Sequence, residues 1–125
     1  MNKLTQLQYE TIYLYSKALK FNEIDNLLLT SSKGVYMQVM TKDKSRVTRA
    51  KKSREINLNR YKQDFSKYIF EIKLHNKEYK NNIIFLNIAK ENFRNNYLND
   101  CMIKSLKSYN KYKLTFLKNH LQNVA

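Results

Sequence analysis

Residues 58–93 read LNRYKQDFSKYIFEIKLHNKEYKNNIIFLNIAKENF, and the spacing of their apolar side chains decides the fold class. Alternating steps of three and four place Leu58, Tyr61, Phe65, Tyr68, Ile72, His75, Tyr79, Asn82, Leu86, Ala89 and Phe93 in one phase. A stripe with that period faces a neighbouring helix, as in a coiled coil. Traced backwards, the phase runs through Arg54, Lys51, Val47, Lys44, Met40 and Met37, so charge enters the seam at three positions. It fails near Asn95-Asn96 and resumes as Leu98, Met102, Ser105, Tyr109, Tyr112 and Phe116.

Composition agrees with helices. The chain of 125 residues has no proline and one glycine, Gly34, whereas a multi-strand fold would need several turn residues. The expected architecture is all-α: a long-helix antiparallel coiled-coil hairpin in a single domain spanning 1–125. A shorter N-terminal helix is expected over 4–29, where Leu4, Leu7, Leu14, Ala18, Phe21 and Leu28 form a heptad-like stripe, with Thr11 and Asp25 at the missing positions. A break is expected near 30–34, with Gly34 as a candidate helix C-cap. The corner of the hairpin has two candidates, Asn81-Asn82 and the stretch Thr41 to Ser45.

Twenty-four basic residues against ten acidic ones give a net charge of +14, which calls for an acidic partner such as nucleic acid, anionic lipid or an acidic protein surface. One cysteine, Cys101, rules out an internal disulfide framework and suits a reducing compartment. No run approaches the roughly 18–20 apolar residues of a membrane span, so the expected location is cytoplasmic. A phosphate loop cannot be built from one glycine. His75 and His120 lack ligand neighbours at metal spacing, and Cys101 has no nearby histidine. The chain reads as a non-enzyme without cofactor or metal.

The strongest charge feature is SRVTRAKKSREINLNRY at 45–61, which holds four of the five arginines of the protein. Lys44, Lys51 and Arg54 stand on the seam, where unpaired charge is costly unless water or an acidic group reaches it. Arginine also makes forked contacts to carboxylate and phosphate that lysine cannot. Arg46, Arg49, Lys51, Lys52 and Arg54 are therefore the candidate electrostatic contacts, and Leu58, Tyr61 and Phe65 the candidate apolar anchors. A second basic region carries Lys104, Lys107, Lys111, Lys113 and Lys118.

A small basic chain with heptads broken by charge resembles the FliJ/YscO-type (EscO-like) stalk proteins of flagellar and type III secretion systems. The spacing Arg54, Leu58, Tyr61, Phe65, with Leu86 and Ala89 on the returning helix, is similar to that family's export-gate face. It departs from the family at Arg54, where a glutamine is expected. The resemblance implies a non-enzymatic coupling protein that binds a hexameric secretion ATPase and the export gate, placed at the periphery of a membrane-embedded apparatus. The alternative is a small helical nucleic-acid-binding protein. Under it, residues 42–54, with seven basic residues and one acid, lie along phosphates as a basic region leading into a coiled coil.

Overall fold

The computed structural model describes residues 4–75 and 83–107, and these are all-α. Five helices follow one another: α1 (Gln6–Ser16), α2 (Phe21–Leu28), α3 (Ser32–Lys42), α4 (Lys44–His75) and α5 (Ile83–Lys107). The first three are short and pack together. The last two, of 32 and 25 residues, extend well beyond them.

Local chemistry sets the start of α1. Thr5 caps it: its Oγ1 accepts from the Gln8 N–H at 3.2 Å, while Gln8 Oε1 accepts from the Thr5 N–H at 2.9 Å. This reciprocal capping box satisfies two of the unpaired amides of a helix start. Leu4 precedes the cap and packs with Tyr9, a hydrophobic staple.

The expected single helix over 4–29 is two helices. After Ser16 the chain closes a Schellman turn: Leu19 N–H donates to Leu14 O at 3.3 Å and Ala18 N–H to Tyr15 O at 3.1 Å, with Ala18 in the left-handed region at φ 70°. Leu14 and Leu19, the apolar pair that accompanies such a turn, are both buried with Ile24. Lys20 then begins α2, its N–H donating to Glu23 Oε1 at 2.7 Å.

The break expected near 30–34 falls at 29–31, and its cap is different. Leu29 takes the left-handed conformation at φ 53° and ends α2. Gly34 has no positive φ and lies in the first turn of α3. The seam traced back to Met37 is also interrupted. Asp43 ends α3 and caps α4, its Oδ1 accepting from the Arg46 N–H at 3.2 Å and the Ser45 hydroxyl at 2.9 Å. Of the two candidate corners, the 41–45 stretch is thus a helix boundary, while Asn81-Asn82 lies outside the described residues.

α4 uses one face twice. Its first turns bury Val47 and Ala50 in a core with Leu4, Ile12, Tyr36 and Val39. Lys44 and Lys51, assigned to the seam from periodicity, point outward because Ala50 takes the inward place. Further along, α5 returns beside α4. Tyr68 and Phe65 meet Phe93 with ring centroids 5.1 and 5.4 Å apart, and Tyr61 meets Tyr97 at 4.8 Å. Leu98 and Cys101 close against Leu14, Leu19 and Ile24. No helix among the described residues is long and apolar enough to cross a membrane.

Left-handed backbone costs an L-residue roughly 1–2 kcal/mol, and Leu29 is 89% exposed with little packing to lose. Leu29→Gly should therefore stabilise the protein by about 1 kcal/mol. A Cβ at Gly34 would meet only Ser31 Oγ at 3.7 Å, so Gly34→Ala should also stabilise, by about 1 kcal/mol. Urea denaturation of the two variants checks both. Destabilisation by Gly34→Ala would mean that Gly34 is needed as a cap after all.

Candidate functional site

α2 and α3 form the unit with the clearest functional geometry. They are joined by three residues, Leu29, Thr30 and Ser31, and the left-handed Leu29 turns the chain back. Ser32, the first residue of α3, is fully buried against α2: its hydroxyl donates to Phe21 O at 3.0 Å and also binds the Asp25 carboxylate. The Ser32 N–H donates to Asp25 Oδ1 at 2.7 Å. Because the Ser31 side chain makes no cap bond, Asp25 of α2 does the capping of α3. These Ser32 hydrogen bonds hold the Asp25 carboxyl below the ordinary carboxylate range. α3 therefore starts against the side of α2 and packs on it. α1 packs against both helices of this pair.

The two faces of α3 differ sharply. Ser32, Val35, Tyr36 and Val39 are buried, and Tyr36 packs against Tyr15 and Phe21 at 4.9 and 5.6 Å between centroids. Lys33, Gly34, Met37, Gln38, Thr41 and Lys42 are exposed in consecutive turns of one outward face. That face carries two lysines, an amide, a hydroxyl and an apolar side chain, and α3 contains no acid. Gln8 braces it from α1: its Nε2 donates to Gln38 Oε1 at 3.3 Å, and its Oε1 accepts from Lys42 Nζ at 3.4 Å.

The candidate contacts of the basic strip separate by environment. Arg54 is engaged inside the chain: its Nη1 donates to Tyr15 O at 2.7 Å and Leu19 O at 2.6 Å, and its guanidinium lies 4.4 Å from the centroid of the Tyr15 ring. Arg46 pairs with Asp43 at 3.4 Å and lies over Tyr9. Arg49, Lys51 and Lys52 are exposed on α4. Leu58, Tyr61 and Phe65 are half-buried, and the two rings join Phe93 and Tyr97 within the molecule. The strip is not one surface. One arginine is a structural cap, a second is tied to its own helix start, and the rest face solvent. In the second basic region, the lysines beyond 107 lie outside the described residues.

The residue that sequence reading passed over is Arg94. It stands on α5 and reaches Glu23 of α2 with both branches of its fork, Nε donating to Oε2 at 2.8 Å and Nη2 to Oε1. Nη2 also donates to Ala18 O at 3.1 Å. The guanidinium lies between Tyr61 and Tyr97, about equidistant at 5.0 and 5.1 Å. Beside it, Tyr97 donates its hydroxyl to Lys17 O, and Asn57 donates to Ser16 O at 2.7 Å. Burial pushes the Tyr97 hydroxyl well above its ordinary value. A lone arginine in an asparagine-rich stretch gives no signal in sequence. Glu23 opening a helix was the nearest hint.

Among the described residues no group of three His, Cys, Asp or Glu side chains gathers to hold a metal. Compared with known proteins, the chain matches no family model, no curated protein and no solved structure.

Burial pushes the Glu23 carboxyl up, but the Arg94 fork and the Lys20 N–H outweigh it and hold the group below its ordinary value. A depressed carboxylate contributes stability that is present above the unfolded-state value, roughly 4.3, and lost as pH falls through the folded one. Thermal melts should therefore show stability falling below about pH 4.5, and Glu23→Gln should flatten that fall. With side chains only 16% and 17% exposed, breaking the pair should cost about 3 kcal/mol near neutrality. A Glu23→Gln protein as stable as the parent at pH 7 would contradict this.

Proposed function

We propose that this chain is a non-enzymatic, cytoplasmic DNA-binding protein that lays α3 in the major groove. The observation that carries the reading is the packing of α2 and α3 across a three-residue turn, the connection length of a helix-turn-helix, with a polar, acid-free face on α3 turned outward. In a helix-turn-helix the second helix meets base edges with its N-terminal residues while its neighbours hold the backbone. Lys33 stands at that end, and Gln38 offers the amide that pairs with adenine in the major groove. Met37, 52% exposed, and the methyl of Thr41 suit thymine methyl groups. Lys42 and Lys44, beside the boundary at Asp43, are placed to meet phosphates, and with Arg49 they supply the salt-dependent share of affinity. Of the basic region at 42–54, Lys42, Lys44 and Arg49 take the role of backbone contact, Arg54 is withdrawn into the fold, and base reading falls to α3.

A second proposal draws on a different observation. The ring contacts between α4 and α5 run in opposite directions along the two helices, which is the order an antiparallel coiled-coil hairpin requires. In the stalk reading that hairpin, with Arg49, Lys51 and Lys52 on its flank, seats in a hexameric secretion ATPase and meets the export gate. It gives no role to the outward face of α3, which is why the DNA reading comes first.

Fluorescence anisotropy on a duplex selected from a random pool separates the two. Gln38→Ala should weaken the selected duplex by about 1–3 kcal/mol and leave unrelated duplexes unchanged. Lys33→Glu with Lys42→Glu should weaken all duplexes and reduce the salt slope by about two. Failure to select any sequence, together with stimulation of a secretion ATPase at one copy per hexamer, would favour the stalk.

A further inference from the structure

We propose that Gln8, a buried residue of α1, is the positioning residue that fixes which end of the Gln38 amide meets a base. The inference rests on the DNA reading of α3 and adds to it a determinant outside that helix. A glutamine amide has an acceptor end and a donor end of the same shape, so an unheld one on a surface can present either. Gln38 is exposed, but it is held. The Thr5 N–H, 2.9 Å from one end of the Gln8 amide, is a donor, so that end is oxygen. Lys42 Nζ, which can only donate, lies 3.4 Å from the same atom. The other end, Nε2, faces Gln38 at 3.3 Å, and a donor there requires an acceptor: Gln38 turns Oε1 to it. The cap of α1 thus sets, through one side chain that is only 7% exposed, the orientation of an amide 30 residues further along.

That orientation has a consequence for specificity. An amide oxygen accepts two hydrogen bonds, and Gln8 supplies one. The second acceptor site and the Nε2 hydrogens remain for a ligand, and together they match the N6 amino group and N7 of adenine. A reversed amide would set oxygen against N7 and its NH2 group against N6, acceptor on acceptor and donor on donor. Holding the amide also lowers the rotamer freedom that Gln38 has left to lose on binding, a loss that an unheld glutamine bears in full. Gln8 itself touches no base in this arrangement. It acts through Gln38, and its removal should blur the reading of one base pair while leaving the others as they are.

Anisotropy on the selected duplex, with each base pair replaced in turn, tests it. The pair read by Gln38 is the one whose replacement weakens the parent, by about tenfold, and leaves Gln38→Ala unaffected. At that pair alone, Gln8→Met should cut the discrimination to about threefold or less. Thr5→Ala removes the other half of the capping box but keeps the Thr5 N–H, and it should discriminate as the parent does. A second readout needs no DNA. Gln8→Glu keeps an acceptor for the Thr5 N–H but turns a carboxylate oxygen toward Gln38, whose amide must then reverse. The side-chain amide protons of Gln38 should move downfield in the spectrum of the free protein, and discrimination at its base pair should be lost. Unmoved Gln38 amide protons, full discrimination by folded Gln8→Met, or an equal loss in Thr5→Ala would overturn the inference while the DNA reading stands. If Gln38→Ala identifies no base pair, the DNA reading of α3 fails and the inference falls with it.

Discussion

The carbonyl end of α1 is the constraint on which the rest of the structure depends. Five successive carbonyls, from Tyr15 to Leu19, each accept a hydrogen bond from a side chain of α4 or α5. A helix ends with unsatisfied carbonyls and a partial negative charge, and two guanidinium groups are the strongest neutral-pH answer to both. Arg54 comes from α4 and Arg94 from α5, so the two long helices are tied to the same turn. Pulling either away would leave buried carbonyls without donors, which is costly. α2 begins at that turn, and Glu23 completes the tie by accepting the Arg94 fork. The position of α2, and through Asp25 and Ser32 the position of α3, follows from how the end of α1 is capped.

This arrangement explains how a chain with so much positive charge keeps a fixed shape. Charge counting treats arginines alike, but burial sorts them. Arg54 and Arg94 are desolvated among tyrosines and carbonyls and hold the fold together. Arg46 fixes the start of α4 with Asp43. Arg49 remains exposed, as do Lys33, Lys42, Lys44, Lys51 and Lys52. Those six cations lie on the outer side of α3 and the first turns of α4, while Arg60, Lys62, Lys67, Lys73 and Lys90 are exposed farther along the long helices.

Helices were legible in the sequence, and Tyr61, Phe65, Tyr68 and Phe93 were legible as positions of one stripe; that the first three meet Phe93 was not, because the corner between α4 and α5 had two candidates and the register stayed open. The three-helix head was not. Its two decisive turns are made by Ala18 and Leu29 at positive φ, residue types that normally signal helix continuation. The scarcity of glycine argued for few connections, yet the chain makes its turns without glycine and bears the strain. The stripe drawn through Leu4, Leu7 and Leu14 therefore crossed a break, took Leu7 as inward although it is 37% exposed, and passed over Ile12, Leu19 and Ile24, which are buried. The capping pair Thr5 and Gln8 was the available signal for where α1 begins. The orientation of Arg54 could not be read at all, since its acceptors lie 35 and 39 residues away.

The most direct test of the account is to map where DNA touches the protein. Isotope-labelled chain titrated with a selected duplex should show amide shifts concentrated at Lys33, Met37, Gln38, Thr41 and Lys42, with smaller changes at Lys44 and Arg49. Shifts confined to α4 beyond Arg49, with α3 unchanged, would contradict the placing of α3 in the groove and leave the long helices as the contact surface.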